Sequence, residues 1–128
     1  MKVIEATTAR DISRFIELPF SLYRNDPYFV PQLRKELRDQ FSKKNPFFRH
    51  ADVRYYLAEK NGSICGRVAS IINHRHQAFQ HEDAGFFGFF KSENDKNIDG
   101  TLLDAVAADL KLRGVKIMRG PMNFSANG

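Results

Sequence analysis

Two segments in the middle of the chain carry the strongest pattern of apolar and polar positions. Residues 53–59 are mostly aromatic and apolar and predict a strand. Asn61 and Gly62 follow, and this pair favours the tight turn of a β-hairpin. The apolar residues of the segment 64–73 fall on both faces, as expected of a central strand. The pattern therefore predicts a hairpin whose second strand lies inside a sheet.

The N-terminal segment predicts a strand followed by a helix. Residues 2–6 form a short, mostly apolar strand, and Thr8 and Asp11 resemble the capping pair that starts a helix. Pro19 falls inside the helical pattern and has no backbone N–H to donate to the preceding turn. The helix is therefore expected to break or kink near Leu18 and to resume through about Arg24, as two short pieces.

A second helix is predicted over residues 31–44. Pro31 suits the first position of a helix, and Leu33, Leu37 and Phe41 recur at a spacing of four residues. The other faces of this helix carry several Lys and Arg side chains. A solvated surface is favoured there over a grip on phosphate, because a charged outer face is common in surface helices.

The C-terminal part of the chain predicts a strand, a helix and another strand. Residues 84–91 form an aromatic strand, interrupted by Gly88, where glycine favours a bulge or the close approach of another segment. An apolar helical face over residues 102–110 ends before Gly114, and residues 115–118 form the next strand. The two strands of such a unit are expected to be parallel, with a right-handed connection.

Length and composition favour a single domain over residues 1–128, with a core rich in phenylalanine: the chain has 12 Phe and no Trp. No segment approaches the ~18 apolar residues of a transmembrane helix, and the N-terminus lacks the apolar core of a signal peptide. We therefore expect no membrane insertion and a cytoplasmic location. Cys65, the single cysteine, lies in an apolar strand and predicts a buried, unreactive thiol.

Positive charge is concentrated in the first part of the chain. Residues 1–80 hold 14 Lys and Arg against 8 Asp and Glu, whereas residues 81–128 hold 6 against 7. Such a field attracts nucleic acid or a polyanionic cofactor without specifying which. Phe47 and Phe48, close to the basic residues, suit core packing better than base stacking. Nucleic acid is therefore disfavoured as a partner.

Few side chains suggest catalysis or metal binding. No nucleophile motif is present, and Glu59 would need a cleft to act as a general base, whereas a strand end is usually exposed. His74 and His76 share one face of an extended chain, and His81 with the two acidic residues after it keeps a weak metal site open. A zinc site needs three or four ligands, so a solvated turn is favoured and we predict no metal.

Five segments of the chain resemble the GNAT acetyltransferase superfamily, and most closely its bacterial members of unassigned function. They are LPFSLYRNDPYFVPQL, NPFFRHADVRYYLAE, GRVASIINHRH, GFFGFF and RGPMNFSANG. The resemblance implies an α/β (α+β) fold with a mixed, mostly antiparallel sheet flanked by helices. It also implies that the chain is truncated after the fifth strand of a fold that continues with another helix and two strands.

The resemblance further implies an acyl-CoA site beside the aromatic strand. In the superfamily the fourth strand receives the pantetheine arm, and a glycine-rich loop before the next helix receives the pyrophosphate. By position, the residues that would line the thioester arm are Phe89, Phe90 and Lys91, and those that would border the phosphates are Asn94, Asn97 and Gly100. The loop departs from the superfamily pattern, because Asn94 stands at its basic position and Asn97 and Asp99 at its two glycine positions.

Two functions are compatible with this pattern. The first is an acyl-CoA-dependent N-acyltransferase, in which the amine of a small-molecule acceptor attacks acetyl-CoA or another acyl-CoA directly; no catalytic residue is assigned. The alternative is a non-catalytic interaction or oligomerisation domain that kept the scaffold after its phosphate loop decayed. In either case an open sheet edge at residues 115–118 predicts a homo-oligomer, either a dimer or a larger species.

Overall fold

The computed structural model describes residues 1–28, 34–75 and 83–124. In chain order its elements are β1 (Lys2–Glu5), α1 (Ala9–Leu22), α2 (Arg34–Gln40), a 3-10 turn (Pro46–Arg49), β2 (Ala51–Lys60), β3 (Ser63–Asn73), β4 (Ala84–Ser92), α3 (Lys96–Leu112) and β5 (Ile117–Arg119).

The strands form one five-stranded sheet in the order β1-β2-β3-β4-β5. The first three pairings are antiparallel, and β4 pairs with β5 in parallel. The predicted mixed, mostly antiparallel sheet is therefore confirmed. The predicted hairpin is confirmed as well, since Asn61 and Gly62 both take left-handed φ angles, of 54° and 79°, as a type I′ turn requires.

Helix α1 begins where the sequence predicts but does not break. Thr8 caps it by accepting a hydrogen bond from the Asp11 N–H at 3.1 Å. The prediction of two short pieces is wrong, because α1 is one helix of 14 residues that contains Pro19. The carbonyl of Phe15, which would accept from an N–H at position 19, accepts instead from the Arg67 guanidinium at 2.6 Å. The lost helical hydrogen bond is thus replaced from β3.

Helix α2 is shorter than predicted. It ends at Gln40 rather than at residue 44, and its predicted start at Pro31 lies outside the described residues. Phe41 follows the helix and is buried, and the next residues turn into the 3-10 segment. Asn45 caps that segment by accepting from the Phe47 N–H at 3.0 Å. The Asn-Pro pair therefore ends the helical region earlier than the leucine spacing suggested.

The sheet separates two apolar layers. One face is covered by α1, α2 and the 3-10 turn around Phe15, Phe41 and Phe47, with edge-to-face ring contacts such as the 5.6 Å between the Phe15 and Phe41 centroids. Helix α3 covers the opposite face with an apolar stripe that includes Leu102 and Val106. The core is rich in phenylalanine, as predicted. Within the described ranges, no helix has both the length and the apolar character to cross a bilayer.

Candidate functional site

A bulge in β4 creates the irregular point of the sheet. Arg67 of β3 lies opposite Lys91, but Ala69 lies opposite Gly88, so Phe89 and Phe90 together face the single residue between them on β3. Phe89 takes a left-handed φ of 53°, which is uncommon for a bulky side chain. The bulge predicted at Gly88 is therefore present, with its strained residue one position later.

The outer edge of β4 is covered along only part of its length. Strand β5 pairs with Ala84 to Phe86, and the chain after it continues alongside, where the Met122 N–H donates to the Phe87 carbonyl at 2.9 Å. A Cβ atom on Gly88 would lie 1.9 Å from the Met122 oxygen, so only glycine permits this approach. In the part of the chain that the structure describes, this cover ends at Phe89.

The backbone of Phe89 already has partners within the chain. Its N–H donates to Asn123 Oδ1 at 2.8 Å, and its carbonyl accepts from Arg67 Nε at 2.9 Å. Its ring packs in the phenylalanine core, with its centroid 5.0 Å from that of Phe41. Of the three residues that the resemblance assigns to the thioester arm, Phe89 is thus part of the wall of the site rather than a free hydrogen-bonding position.

Phe90 and Lys91 lie beyond this cover. The Phe90 ring packs against the α3 layer, and its centroid is 6.5 Å from that of Phe87. The Lys91 ammonium lies 5.5 Å from the centroid of the Tyr23 ring at the end of α1, within cation–π distance. These two residues therefore border the part of the β4 edge that residues 120–124 do not cover.

The loop between β4 and α3 brings carboxylates to the start of the helix. Asp95 caps α3 by accepting from the Asn97 N–H at 2.8 Å, and Asp99 accepts a hydrogen bond from Ser92 Oγ. Asn94 takes a left-handed φ of 61°. Acidic side chains in the first turn complement the helix dipole, so the positive end of α3 is already balanced by residues of the chain itself.

Gly100 lies in the first turns of α3 and has free space where a side chain would begin. No atom lies within 4 Å of the place where a Cβ atom would stand, and the residue is exposed. Packing within the described chain therefore does not require glycine there. Asn97 is also exposed, and its carbonyl accepts from Thr101 Oγ1 at 2.7 Å. The three predicted phosphate positions thus lie along one loop and the helical turns that follow it.

Two charged residues are buried between the sheet and its helices, and the sequence analysis did not predict either of them. Asp109 of α3 is 5% exposed and accepts from Ser70 Oγ at 2.7 Å, from Arg54 at 2.8 Å and from Arg113 at 2.6 Å. Burial alone would raise the pKa of Asp109, but hydrogen bonds from Ser70, Arg113 and Tyr56 and the charge of Arg113 lower it overall. In the sequence, Asp109 stands three residues after Val106, on the apolar stripe of α3. An acidic residue at such a position was the sequence signal that could have predicted its burial.

Arg67 is the second such residue, at 6% exposed. Burial lowers the pKa of Arg67 to about 10. In the described residues its guanidinium contacts carbonyl oxygens and the Phe15 ring, and no carboxylate pairs with it. A charged residue among the apolar positions of a central strand was the only sequence signal for this role.

The remaining candidates for chemistry resolve into structural contacts. Cys65 is buried as predicted, and burial raises the pKa of its thiol. Glu59 is half-buried rather than exposed and forms ion pairs with Arg14 at 3.4 Å and Lys2 at 3.9 Å. His74 Nε2 lies 2.7 Å from Asp52 Oδ2, and His76 and His81 lie outside the described residues. No cluster of three metal-ligating side chains occurs in the described ranges.

A cavity of about 440 Å³ lies away from the bulge, over β2 and the start of α1. Ile12, Phe41 and Tyr55 are among the residues that line it. The Tyr55 hydroxyl is buried without a hydrogen-bond partner in the described part of the chain. The cavity borders none of the residues assigned to acyl-CoA, so it is separate from the candidate site.

Comparison with solved structures matches this fold to acetyltransferases. The GNAT-family acetyltransferase from Staphylococcus aureus Mu50 matches the chain with a TM-score of 0.63 at 16% identity, over 91% of this chain and 69% of that one. The chain has the GNAT fold. A second example of this GNAT fold, the predicted acetyltransferase from Clostridium acetobutylicum solved with acetyl-CoA, gives a TM-score of 0.59 at 16% identity, over 95% and 80% of the two chains.

Sequence comparison finds longer relatives. The chain is 33% identical over 117 residues to Protein YghO of Escherichia coli K12, which covers 91% of this chain and 30% of that protein. It is 34% identical over 129 residues to the bacterial ceramide synthase of Caulobacter vibrioides NA1000 / CB15N, over 99% of this chain and 34% of that protein. The chain therefore spans about a third of the length of these two curated relatives. No protein-family model matches the chain.

Proposed function

We propose that this chain is an acyl-CoA-binding module of an N-acyltransferase. The observation that carries the proposal is the β4 bulge on a GNAT fold, next to a stretch of β4 edge beyond Phe89 that the described residues after β5 do not cover. A strand edge offers N–H and C=O groups that can pair with the amides of a pantetheine arm, as an added strand would.

The relatives narrow the reaction class. A ceramide is an N-acylated long-chain amino alcohol, so the name of the Caulobacter relative describes the formation of an amide. One GNAT-fold neighbour was solved with acetyl-CoA. We extend these features to the present chain as an acyl-CoA donor and an amine acceptor, with a long acyl chain favoured over acetyl.

The proposed reaction is a direct transfer. The neutral amine nitrogen attacks the thioester carbonyl carbon, the C–N bond forms, and the C–S bond breaks as the electron pair leaves with sulfur. The amine proton passes to the thiolate, directly or through solvent, so the products are an amide and the free thiol of CoA. In this chain Phe90 and Lys91 would border the thioester arm, and Asn94, Asn97 and Gly100 would border the phosphates.

Calorimetric titration with acetyl-CoA and with palmitoyl-CoA tests the proposal. We expect saturable binding, stronger for the long acyl chain. Lys91→Glu places a negative charge beside the proposed path of a polyanion and is expected to weaken binding by about tenfold or more, because like charges close together repel.

Lys116→Glu is the matched control, since it makes the same change in net charge at an exposed position next to β5. It should leave the affinity within about twofold, because exposed charges separated by more than about 10 Å are screened by salt. An absence of binding to either acyl-CoA would leave only the fold, and an equal loss in both variants would point to a general charge effect.

A second candidate is a non-catalytic interaction domain, and the loop before α3 favours it. Asp95 and Asp99 bring two carboxylates to the helix N-terminus, where a phosphate would otherwise meet free N–H groups. In that case the wild-type protein gives no heat with acyl-CoA, and replacing Asn97 and Asp99 by glycine does not create binding.

A further inference from the structure

The proline in α1 leaves one main-chain acceptor without its helical partner. An N–H at position 19 would donate to the Phe15 carbonyl, but Pro19 has none. Arg67 Nη1 donates to that carbonyl at 2.6 Å, and the guanidinium carbon lies 4.7 Å from the centroid of the Phe15 ring. The helix therefore stays continuous because a side chain from β3 reaches into it.

The same guanidinium holds the bulge. Arg67 Nε donates at 2.9 Å to the carbonyl of Phe89, the residue of β4 with the left-handed φ. On the other side of that peptide, the Phe89 N–H donates to Asn123. The Arg67 side chain thus connects α1 to the bulge of β4. Asn123, in the segment after β5, binds the same bulge residue through its N–H.

This arrangement has a cost that simple core packing would avoid. A guanidinium that is 6% exposed loses most of its hydration, and in the described residues no carboxylate compensates its charge. An apolar side chain with a regular helix across from it would pack at this position without that cost. The Phe15 carbonyl, whose helical donor Pro19 removes, and the Phe89 carbonyl at the bulge lie on different elements, and a planar guanidinium with several donors can join them.

We propose that Arg67 is a positioning residue that sets the β4 bulge for the acyl thioester, and that Pro19 frees the Phe15 carbonyl on which this clamp is anchored. The inference rests on the proposed function, because the bulge borders the edge assigned to the pantetheine arm. Arg67 is not a catalytic residue, since its donors are engaged by Phe15 and Phe89 rather than directed at substrate.

A double-mutant cycle between Arg67 and Pro19 tests the anchor. Arg67→Met keeps the aliphatic stem, removes both hydrogen bonds and is expected to lower Tm by about 8 °C. In a Pro19→Ala background the new N–H satisfies the Phe15 carbonyl, so the same Arg67→Met change should lower Tm by at least ~3 °C less. Equal losses in the two backgrounds would overturn the proposed role of Pro19.

Acyl-CoA affinity tests the positioning role separately from stability. Pro19→Ala with Arg67→Met supplies the helical hydrogen bond to the Phe15 carbonyl but leaves the Phe89 carbonyl without the Arg67 donor, so palmitoyl-CoA should bind about tenfold more weakly than to Pro19→Ala alone. Asp109→Asn is the control, because it destabilises the opposite face of the sheet and should keep the affinity. An unchanged affinity in the Arg67 variant would overturn the positioning role.

The exchange of the Phe89 amide proton distinguishes failure of this inference from failure of the proposed function. If the wild-type protein binds no acyl-CoA, the proposed function fails, and the clamp is judged by exchange alone. Loss of the Arg67 donor should then speed exchange of the Phe89 amide about tenfold in the Pro19→Ala background, because the bulge relaxes. Unaltered protection of that amide would refute the clamp.

Discussion

Asp109 joins helix α3 to the sheet through a single buried carboxylate. Ser70 and Arg54 bond it from two strands, and Arg113 bonds it from one helical turn away. Arg113 also donates to Ser70 Oγ at 3.0 Å, which closes the network. Burial raises the pKa of Tyr56 to about 12, and the Asp109 carboxylate contributes to the rise. These side chains form one connected network, so removal of one member leaves the others with fewer hydrogen bonds.

Asp109→Ala is expected to lower the free energy of unfolding by about 3 kcal/mol, because it removes the carboxylate acceptor of the half-buried Arg113 and of the buried Ser70 hydroxyl. Chemical denaturation measures the change. Asp104→Ala, an exposed acid on the same helix, should alter stability by no more than about 0.5 kcal/mol. A loss below about 1 kcal/mol for Asp109→Ala would mean that the network contributes little.

The pH dependence of stability has a defined sign at this residue. Because the pKa of Asp109 is lower in the folded protein than in the unfolded chain, its contribution is fully present above the unfolded pKa, near 4, and is lost as the pH falls through the folded value. Wild-type stability should therefore fall more steeply below pH ~4 than that of Asp109→Asn. Parallel pH profiles of the two proteins would contradict this assignment.

Among the elements, α3 has an apolar stripe along one face and acidic residues at its N-terminus. Its stripe packs on the sheet and its end at Gly114, with a φ of 81°, follows the pattern expected of a helix that ends in glycine. At its start, Asp95 caps the helix and Asp99 adds a second carboxylate, whereas Gly100 has open space where a Cβ atom would stand. Glycine inside a helix is destabilising relative to alanine, but it permits the close approach of a ligand.

Gly100→Ala is expected to raise the free energy of unfolding by about 0.5–1 kcal/mol, since no described atom obstructs a methyl group there. If the phosphates of acyl-CoA approach this position, the same substitution should weaken acyl-CoA binding several-fold. Thermal unfolding and calorimetry together measure both effects.

Ala108→Gly is the reverse change at an exposed position later in α3. It should lower stability by a similar ~0.5–1 kcal/mol and leave binding unaltered. A stabilised Gly100→Ala protein with wild-type affinity would remove Gly100 from the candidate phosphate site.

At the scale of the whole molecule, β5 has an unpaired outer edge in the sheet that the described residues form. It is the last strand of the sheet order, it has three residues, and all of them are exposed. Ile117 and Met118 are 42% and 40% exposed, and Leu112 nearby on α3 is 83% exposed. An edge strand with apolar neighbours favours association, because it can pair with another strand and bury those side chains together.

We therefore predict a homo-oligomer formed through the β5 edge. Light scattering after size-exclusion chromatography should give at least twice the mass of the chain, and Ile117→Lys with Met118→Lys should reduce it to the monomer mass. Tyr28→Ser, which removes an exposed aromatic residue remote from β5 in sequence, should leave the oligomer intact. A monomeric wild-type protein at the highest soluble concentration would exclude this interface.

Local patterns were sufficient to predict most of the framework. The Asn61–Gly62 turn, the Thr8 cap and the doubly buried β3 all depend on residues close together in the chain, and each is confirmed. Gly88 was also informative, because a glycine inside a strand signals a neighbour that comes very close. Neighbouring residues are enough in these cases, since backbone conformation and the period of apolar positions are local properties.

At two positions, contacts between residues far apart in the sequence change what the local sequence pattern predicts, and only the tertiary structure shows them. Pro19 should break a helix in isolation, but Arg67, 48 positions later in the sequence, supplies the missing hydrogen bond. Asp109 on an apolar stripe would be unfavourable without Arg54 and Ser70 from other elements. Sequence alone therefore determined the order and type of the elements. The fold determined which buried charges are compensated and how the bulge is held, because both depend on groups that only folding brings together.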